Sequence, residues 1–261
     1  MRSLSIAATG MLAQQLNVEV ISNNIANMNT TGYKRQRAEF QDLLYQNLRR
    51  VGATSSDTGT IVPSGVQIGV GVKTAAVYRI TEQGNVISTG NTLDLAIQDR
   101  GLFRIELPSG DDGYTRAGAF QLSPDGEIVT TDGFTVSPGI AIPQDAVDIS
   151  ISATGDVQVK IAGQVDPVNV GQLELVTFAN VAGLEAIGDN MFLETPASGP
   201  AIVGVPGLDG VGTILQGFLE TSNVNPVHEI TTLITAQRAY EMNAQVITLS
   251  DEMLSTVNRL R

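Results

Sequence analysis

Apolar residues recur every seven positions at both ends of the chain. Near the N-terminus they are Leu4, Met11, Val18 and Ile25, and near the C-terminus they are Leu233, Tyr240, Ile247 and Leu254. Mostly small or apolar residues fill the intervening positions, so each end shows the spacing of three and four residues that lines one helix face in a coiled coil. The pattern predicts one long helix at each end, and we expect the two helices to pair.

The bounds of these helices follow from their flanking residues. The first helix is predicted to run from about residue 3 to residue 27 and to close near Gly32, because glycine readily takes the left-handed conformation that ends a helix. The last helix is predicted to begin near Pro226, since proline suits a first helical turn. Four asparagines lie between Ser22 and Thr30. Asparagine is a poor helix former, so on residue type a fraying helix end explains this stretch as well as a specific motif does.

The middle of the chain carries short stretches that are typical of β-strands. Residues 94–98 and 102–107 are predicted strands, and the pairs Asp125-Gly126 and Asp132-Gly133 are signals for hairpin turns. The predicted fold class is therefore α+β. It combines a discontinuous, coiled-coil-like helical domain, built from both chain ends, with a central all-β domain.

The predicted organisation has five parts. These are a first terminal helix at 1–32, an extended connection or spacer at 33–74, the β domain at 75–204, a return connection at 205–224 and the last helix at 225–261. The connection is basic between residues 33 and 50, and it becomes glycine-rich and polar between residues 51 and 72. The pattern leaves its secondary structure open, because Phe40, Leu43, Leu44 and Leu48 are also spaced to line a short helical face.

Composition excludes several classes of function. The net charge of −12 argues against nucleic acid as a partner. The chain has no cysteine for disulfide or thiolate chemistry, and its one histidine, His228, excludes a Ser-His-Asp triad and a histidine-rich metal site. We expect no cofactor, no metal site and no enzymatic activity. A pair of carboxylates acting on a polysaccharide is the alternative that the sequence leaves open.

Nothing in the sequence predicts membrane insertion. No apolar run is long enough for a transmembrane helix. The N-terminus also lacks the apolar core and the cleavage site of a secretory signal peptide. If the protein is exported, we expect it to use another route.

Motifs at both ends resemble those of the bacterial flagellar rod and hook proteins. The first is SNNIANMNTTGYK at residues 22–34, and the second comprises residues 220–225 and 237–243. Two motifs in the expected order are far more specific than one, and the resemblance extends through the middle of the chain. The residues that match the family motifs are Asn23, Asn24, Asn27, Gly32, Asn223, Asn225, Gln237, Arg238, Tyr240 and Glu241.

The resemblance is greatest to the distal-rod branch of this family, and it implies a mechanical role. Such a subunit would polymerise with copies of itself into a rigid hollow driveshaft that transmits motor torque across the periplasm and encloses the export channel. The implied partners are proximal rod and hook subunits, the surrounding ring bushing proteins and the flagellar export apparatus. The implied location is the basal body, from periplasm to outer membrane, reached by type III export without a cleaved signal peptide.

Two alternatives stay open at this point. A hook or proximal rod subunit of the same family would share the end motifs, although the stretch at 51–72 favours the distal rod. We expect that stretch to act as a spacer that locks neighbouring subunits and keeps the rod straight. A secreted β-rich protein that binds or hydrolyses polysaccharide is the second alternative.

Energetics favour assembly over a free-standing helix pair. Ordering about twenty-five residues costs on the order of 1.5 kcal/mol per residue, so two end helices that contact only each other are marginal. Further copies in a head-to-tail contact would stabilise them and generate an open filament. The predicted assembly interface comprises Leu4, Met11, Val18, Ile21, Ile25, Leu233, Tyr240, Ile247 and Leu254.

We predict that Val18→Asp or Ile247→Asp blocks polymerisation and leaves the β domain folded. Each substitution places a carboxylate on an apolar helix face, where burial of an unpaired charge costs several kcal/mol. Electron microscopy after concentration reads out filaments, and circular dichroism of the dilute protein reads out the fold. Filaments as abundant as those of the unsubstituted chain, from both variants, would contradict this interface.

Overall fold

The computed structural model describes residues 2–49, 64–164 and 166–259, and within them the chain forms two compact units. The helical unit combines the stretches before residue 26, between residues 36 and 78, and after residue 224. The β unit combines residues 26–35 with residues 79–224. Each unit therefore draws on separated parts of the sequence. One unit contains both long helices and the other is built mainly from strands, which confirms the α+β class.

Two long helices belong to the helical unit, α1 at Arg2–Ala26 and α2 at Pro226–Arg259. Their bounds lie close to the predicted ones, and Pro226 occupies the first helical position as expected. Asn225 caps α2, since its Oδ1 accepts hydrogen bonds from the backbone N of Val227 at 3.1 Å and of His228 at 3.2 Å. This cap explains why α2 begins directly after Asn225, a residue of the family motif.

The same unit contains a two-stranded ribbon, each side of which consists of two consecutive strands. Its strands are β1 (Gln36–Asp42), β2 (Tyr45–Arg49), β3 (Val66–Gly69) and β4 (Val72–Arg79). β1 pairs with β4 and β2 pairs with β3, and a hydrogen bond of 2.9 Å from Leu43 N to Gly71 O lies between the two pairs.

The ribbon resolves the stretch whose secondary structure the sequence left open. Half-buried and exposed positions alternate at the start of β1, which suits a strand, and the helical alternative for this stretch is not adopted. Of the spacer expected at 51–72, residues 51–63 lie outside the described residues, and β3 follows within the remainder.

Within its described residues, the β unit contains fifteen short strands and one 3-10 turn at Val181–Gly183. The strands are β5 (Val86–Ser88), β6 (Leu95–Gln98), β7 (Leu102–Glu106), β8 (Asp112–Thr115), β9 (Gln121–Leu122), β10 (Ile128–Val129), β11 (Ala146–Ile151), β12 (Asp156–Ile161), β13 (Val168–Gln172), β14 (Leu175–Thr177), β15 (Glu185–Gly188), β16 (Met191–Leu193), β17 (Ile202–Gly204), β18 (Thr213–Gln216) and β19 (Phe218–Glu220). The largest sheet has six strands in the order β15-β16-β8-β7-β14-β17, and β11-β12-β13 form a second sheet.

Apolar side chains cover both faces of the six-stranded sheet. Successive residues of β7 and β14 point to opposite faces, so Phe103 and Leu175 join the larger apolar cluster, and Leu102 and Val176 join the smaller one. Phe103 packs edge-to-face against Phe120 with ring centroids 5.0 Å apart. The sheet is thus buried on both sides at its centre.

The predicted hairpins are confirmed, and two predicted bounds differ from the structure. The turns at Gly126 and Gly133 adopt positive φ of 86° and 87°, a conformation in which glycine is favoured. The stretch expected as a return connection, 205–224, instead contains β18 and β19, which pair with β6 and β5. Residues 26–35 belong to the β unit and not with the first helix. Pairing partners more than a hundred residues away are invisible to a local pattern.

Candidate functional site

The helices α1 and α2 contact each other in an antiparallel register. Ser250 Oγ donates to Ser3 Oγ at 3.2 Å, and Asn24 Nδ2 donates to Glu229 Oε2 at 3.2 Å. Between these contacts, a Cβ at Gly10 would lie only 3.0 Å from the side-chain amide of Asn243. Each contact is separated from the next by whole heptads in both helices, which defines one row on each helix. Every residue named in these contacts is small or polar.

The predicted interface residues therefore lie beside this polar row. Ile21 is buried, and Tyr240 is exposed. The others are half-buried: Leu4, Met11, Val18, Ile25, Leu233, Ile247 and Leu254. Apart from Ile21, the predicted interface residues thus keep part of their surface accessible in the single chain.

Asn24 connects both helices to the ribbon. Its side chain is 1% exposed. Nδ2 donates to Gln36 O at 2.8 Å as well as to Glu229, and Oδ1 accepts from Gln36 N at 2.8 Å. The amide thus pairs with both backbone groups of the first ribbon residue, as a neighbouring strand would. Asparagine has the donors and the acceptor that this position requires.

Gly32 has a different role from the one predicted. α1 ends at Ala26, so Gly32 does not close the helix. Its φ of 69° is left-handed, its N donates to Glu220 O at 2.9 Å, and a Cβ here would lie 2.8 Å from backbone atoms of Arg116 and Ala117. Close backbone approach inside the β unit therefore requires glycine.

Glu220 is the centre of a buried ionic network in the β unit, with 2% of its surface exposed. Oε1 accepts from Lys34 Nζ at 2.5 Å and from Gly84 N at 2.9 Å, and Oε2 accepts from Arg116 Nε at 2.5 Å. Two cations thus share one carboxylate. The remaining Arg116 nitrogens donate to the carbonyl oxygens of Ile97, Asp99 and Gly101.

The network changes the protonation of its members. Burial raises the pKa of Glu220, but the charge of Arg116 and the hydrogen bond from Lys34 outweigh burial, so this pKa lies below its ordinary value. Burial lowers the pKa of Lys34, and its hydrogen bond to Glu220 opposes that effect only in part. The ionised carboxylate is therefore the form that the fold favours.

The side chain of Asn223 pairs with backbone groups in the β unit, as the side chain of Asn24 does in the helical unit. Its Oδ1 accepts from Arg35 N at 2.7 Å, and its Nδ2 donates to the carbonyl oxygens of Ile80 and Glu82, both at 3.0 Å. Ile80 N in turn donates to Arg35 O at 2.8 Å. One side chain thus joins three separated segments.

Family comparisons match three regions of the chain. Residues 4–34 match the flagella basal body rod protein family, residues 96–159 match the D1 domain of flagellar hook protein FlgE/F/G, and residues 215–260 match the C-terminal region of flagellar basal body rod FlgEFG proteins.

Curated relatives match the chain over its length. It is 61% identical to the flagellar basal-body rod protein FlgG of Caulobacter vibrioides, with 100% of both chains covered. The chain belongs to the FlgG family of flagellar basal-body rod proteins. The FlgG protein of Agrobacterium fabrum is 56% identical over 99% of each chain, and that of Bacillus subtilis is 40% identical over 100% of this chain and 99% of its own. A solved hook protein of Helicobacter pylori is 17% identical over 72% of this chain and 43% of its own, with a TM-score of 0.25 that carries no structural argument.

The motif residues of this FlgG-family chain fall into two groups. Asn24, Gly32, Asn223 and Asn225 make the internal contacts described above, and the Asn27 side chain lies 3.1 Å from the hydroxyl of Thr30, which donates to it. The second group is exposed, and it consists of Asn23 near the end of α1 and Gln237, Arg238, Tyr240 and Glu241 on α2. Contacts within the folded chain thus account for the residues of the first group.

Several partners of these residues have no signal in the sequence. Arg116 and Glu229 stand in no motif of their own, and Arg116 lies 104 positions from Glu220. The acidic and basic types are visible in the sequence, but only folding brings them together.

The comparisons indicate no catalytic family for this FlgG-family chain. The matched families and relatives are flagellar structural proteins. Across residues 2–49, 64–164 and 166–259, no three His, Cys, Asp or Glu side chains lie together as metal ligands would. In the same described ranges, no helix has the length and apolar character needed to cross a membrane.

Replacement of Asn24 by alanine should weaken the helical unit. The substitution leaves buried groups of Gln36 and Glu229 without these hydrogen bonds, and such a loss costs about 1–3 kcal/mol. Hydrogen exchange of the Gln36 amide and of the α1 and α2 amides measures the effect. Ser22→Ala is the matched control, because Ser22 lies two residues earlier on α1 and is exposed. Equal loss of protection in the two variants would contradict the role of Asn24.

Replacement of Glu220 by glutamine should destabilise the β unit by about 3–5 kcal/mol at neutral pH, since it leaves two buried cations without their counter-charge. The folded-state pKa of Glu220 is lowered, so its stabilisation is present above the unfolded pKa and is lost as pH falls through the folded one. The difference in unfolding free energy between the two proteins should therefore shrink below about pH 4.3. Urea unfolding across pH 3–7 measures it, and a constant difference would exclude this linkage.

Proposed function

We propose that this chain is a structural subunit of the flagellar distal rod and polymerises with copies of itself. The observation that carries the proposal is a second apolar row on α2. Met242, Val246, Leu249 and Met253 follow the spacing of four, three and four residues, and between 43% and 61% of each side chain is exposed. This row lies roughly 110° around the helix from the heptad face that includes Tyr240 and Ile247.

One helix with two apolar faces needs two neighbours. The contacts with α1 lie on the row of Glu229, Asn243 and Ser250, and the second row has the seam pattern of a coiled coil. Burial of a large apolar side chain contributes roughly 1.5–3 kcal/mol, so covering four of them supports a stable contact. We infer that coiled-coil-like packing extends from this row to neighbouring copies.

The ribbon supports the same interpretation. All five residues of β2 are exposed, and Leu44, which precedes it, is 88% exposed. A two-stranded ribbon is marginal in water without further packing. Contacts with neighbouring copies would stabilise it and cover Leu44, Tyr45 and Leu48.

The mechanical role follows from repeated contacts of this kind. The helices α1 and α2 would line a hollow tube that encloses the export channel, and the β unit would stiffen it for torque transmission across the periplasm. The neighbours would be proximal rod and hook subunits, ring bushing proteins and the export apparatus. The nearest alternative is a hook or proximal rod subunit, and its support is the match of the middle region to a domain shared by FlgE, FlgF and FlgG.

Replacement of Leu249 by glutamate should prevent polymerisation at concentrations where the unsubstituted chain forms filaments. Burial of an unpaired carboxylate costs several kcal/mol, and each 1.4 kcal/mol is a tenfold change in affinity, so the critical concentration should rise at least about 100-fold. Sedimentation and electron microscopy measure it.

Thr248→Glu is the matched control, because it adds the same charge one residue earlier on an exposed face away from both apolar rows. We expect its filaments and its critical concentration to be nearly unchanged. Filaments from Leu249→Glu at the usual concentration would overturn the proposed contact. Absence of filaments from the unsubstituted chain would overturn the proposed function itself.

A further inference from the structure

The six-stranded sheet of the β unit ends in two strands with free edges. β15 pairs with β16, and β17 pairs with β14. Among the described residues, no other backbone hydrogen bond involves residues 185–188 or 202–204. Each edge therefore presents backbone groups to which another strand can bind.

Neither edge strand carries a lysine or a proline. Proteins commonly place lysine, proline or inward-pointing charges on exposed edge strands. β17 has no charged residue and no proline, and Ile202 and Val203 are 56% and 45% exposed. β15 carries one charge, Glu185, and the exposed Ile187, and its pairing with β16 has a register shift between Ala186 and Gly188. A free edge strand exposes a monomer to unwanted pairing, whereas in a polymer the same edge can bind a neighbouring subunit.

The strand directions make the two edges complementary. Every neighbouring pair in the sheet is antiparallel, and five such pairs separate β15 from β17. An odd number of reversals means that β15 and β17 run in opposite directions. A second copy in the same orientation, placed beside the first, therefore presents its β15 antiparallel to β17. Such a contact joins two different surfaces and generates an open array.

The side chains at the two edges also share a face. Cross-strand partners and residues two apart in a strand lie on the same face of a sheet. The connected positions are Val203, Val176, Leu102, Arg104, Tyr114, Phe192 and Ala186. Val203 and Ala186 thus border the smaller apolar cluster at opposite edges, and edge pairing would continue that apolar layer from one copy into the next.

We propose that β17 of one copy pairs antiparallel with β15 of the next copy, so that the six-stranded sheets of neighbouring subunits join edge to edge. The proposal rests on the proposed polymer and specifies one of its contacts. Six strands at about 4.8 Å each place neighbouring β units about 29 Å apart along the joined sheet. The occupant of each edge is a second copy of this chain.

Cysteine cross-linking tests the pairing without background, because the chain has no cysteine. Val203→Cys and Ala186→Cys variants are mixed in equal amounts, polymerised and oxidised. Opposed positions of paired strands come within the Cα separation of about 4.4–6.8 Å that a disulfide requires. We expect covalent dimers from the mixture and none from either variant polymerised by itself, since the contact joins unlike edges. A chain with both substitutions should give a ladder of longer oligomers.

Two further variants make the result decisive. Val147→Cys, on a solvent-exposed position of β11, replaces Ala186→Cys in the control mixture and should give no dimers. Val203→Lys puts a lysine at the edge and should raise the critical concentration at least tenfold whatever the strand register.

The outcomes separate the two proposals. Filaments that form without cross-links in the mixture, together with an unchanged critical concentration for Val203→Lys, would overturn edge pairing and leave the polymer in place. Dimers from Val203→Cys polymerised by itself would overturn the head-to-tail arrangement. An unsubstituted chain that forms no filaments would overturn both proposals.

Discussion

The β unit depends on one buried carboxylate that two cations share. Glu220 accepts hydrogen bonds from Lys34, Arg116 and the backbone of Gly84, so it joins three segments that are distant in sequence. Burial of an unpaired charge is costly, and this cost makes the segments mutually dependent, since each needs the others in place. Arg116 also donates hydrogen bonds to the carbonyl oxygen of Ile97 in β6 and to those of Asp99 and Gly101 in the turn that follows. An ionic centre of this kind favours one arrangement of the short strands around it.

The helical unit divides its contacts differently. Its helices meet through serine, asparagine and glutamate side chains and at Gly10, where the backbone lies close to Asn243, whereas larger apolar side chains on α2 stay exposed. Polar contacts at whole-heptad intervals specify a register because a shifted register would leave buried polar groups unpaired. Hydrophobic surface is then available for neighbours, where burial stabilises association. In the proposed polymer, α2 would contact α1 of its own chain on one face and a neighbouring copy on another.

Two asparagines of the family motifs act as substitutes for strands. Asn24 pairs with both backbone groups of Gln36, and Asn223 pairs with the backbone of Arg35, Ile80 and Glu82. A side-chain amide has the same donor and acceptor groups as a peptide bond, so it satisfies backbone groups where no strand can reach. These residues therefore have a structural explanation, and the exposed motif residues of α2 are the ones for which assembly is the natural explanation.

The heptad spacing of the chain ends by itself determined that two long helices form, because helical periodicity is a local property. Asp-Gly pairs determined the hairpin turns for the same reason, since one glycine with positive φ suffices. Tertiary structure decided what each motif residue contacts. Gly32 approaches the backbone of Arg116 and Ala117 and does not end a helix, and residues 205–224 contribute β18 and β19 to the β unit. Pairings of this kind join residues about a hundred positions apart, and their energy comes from burial and charge that exist only once the chain has folded.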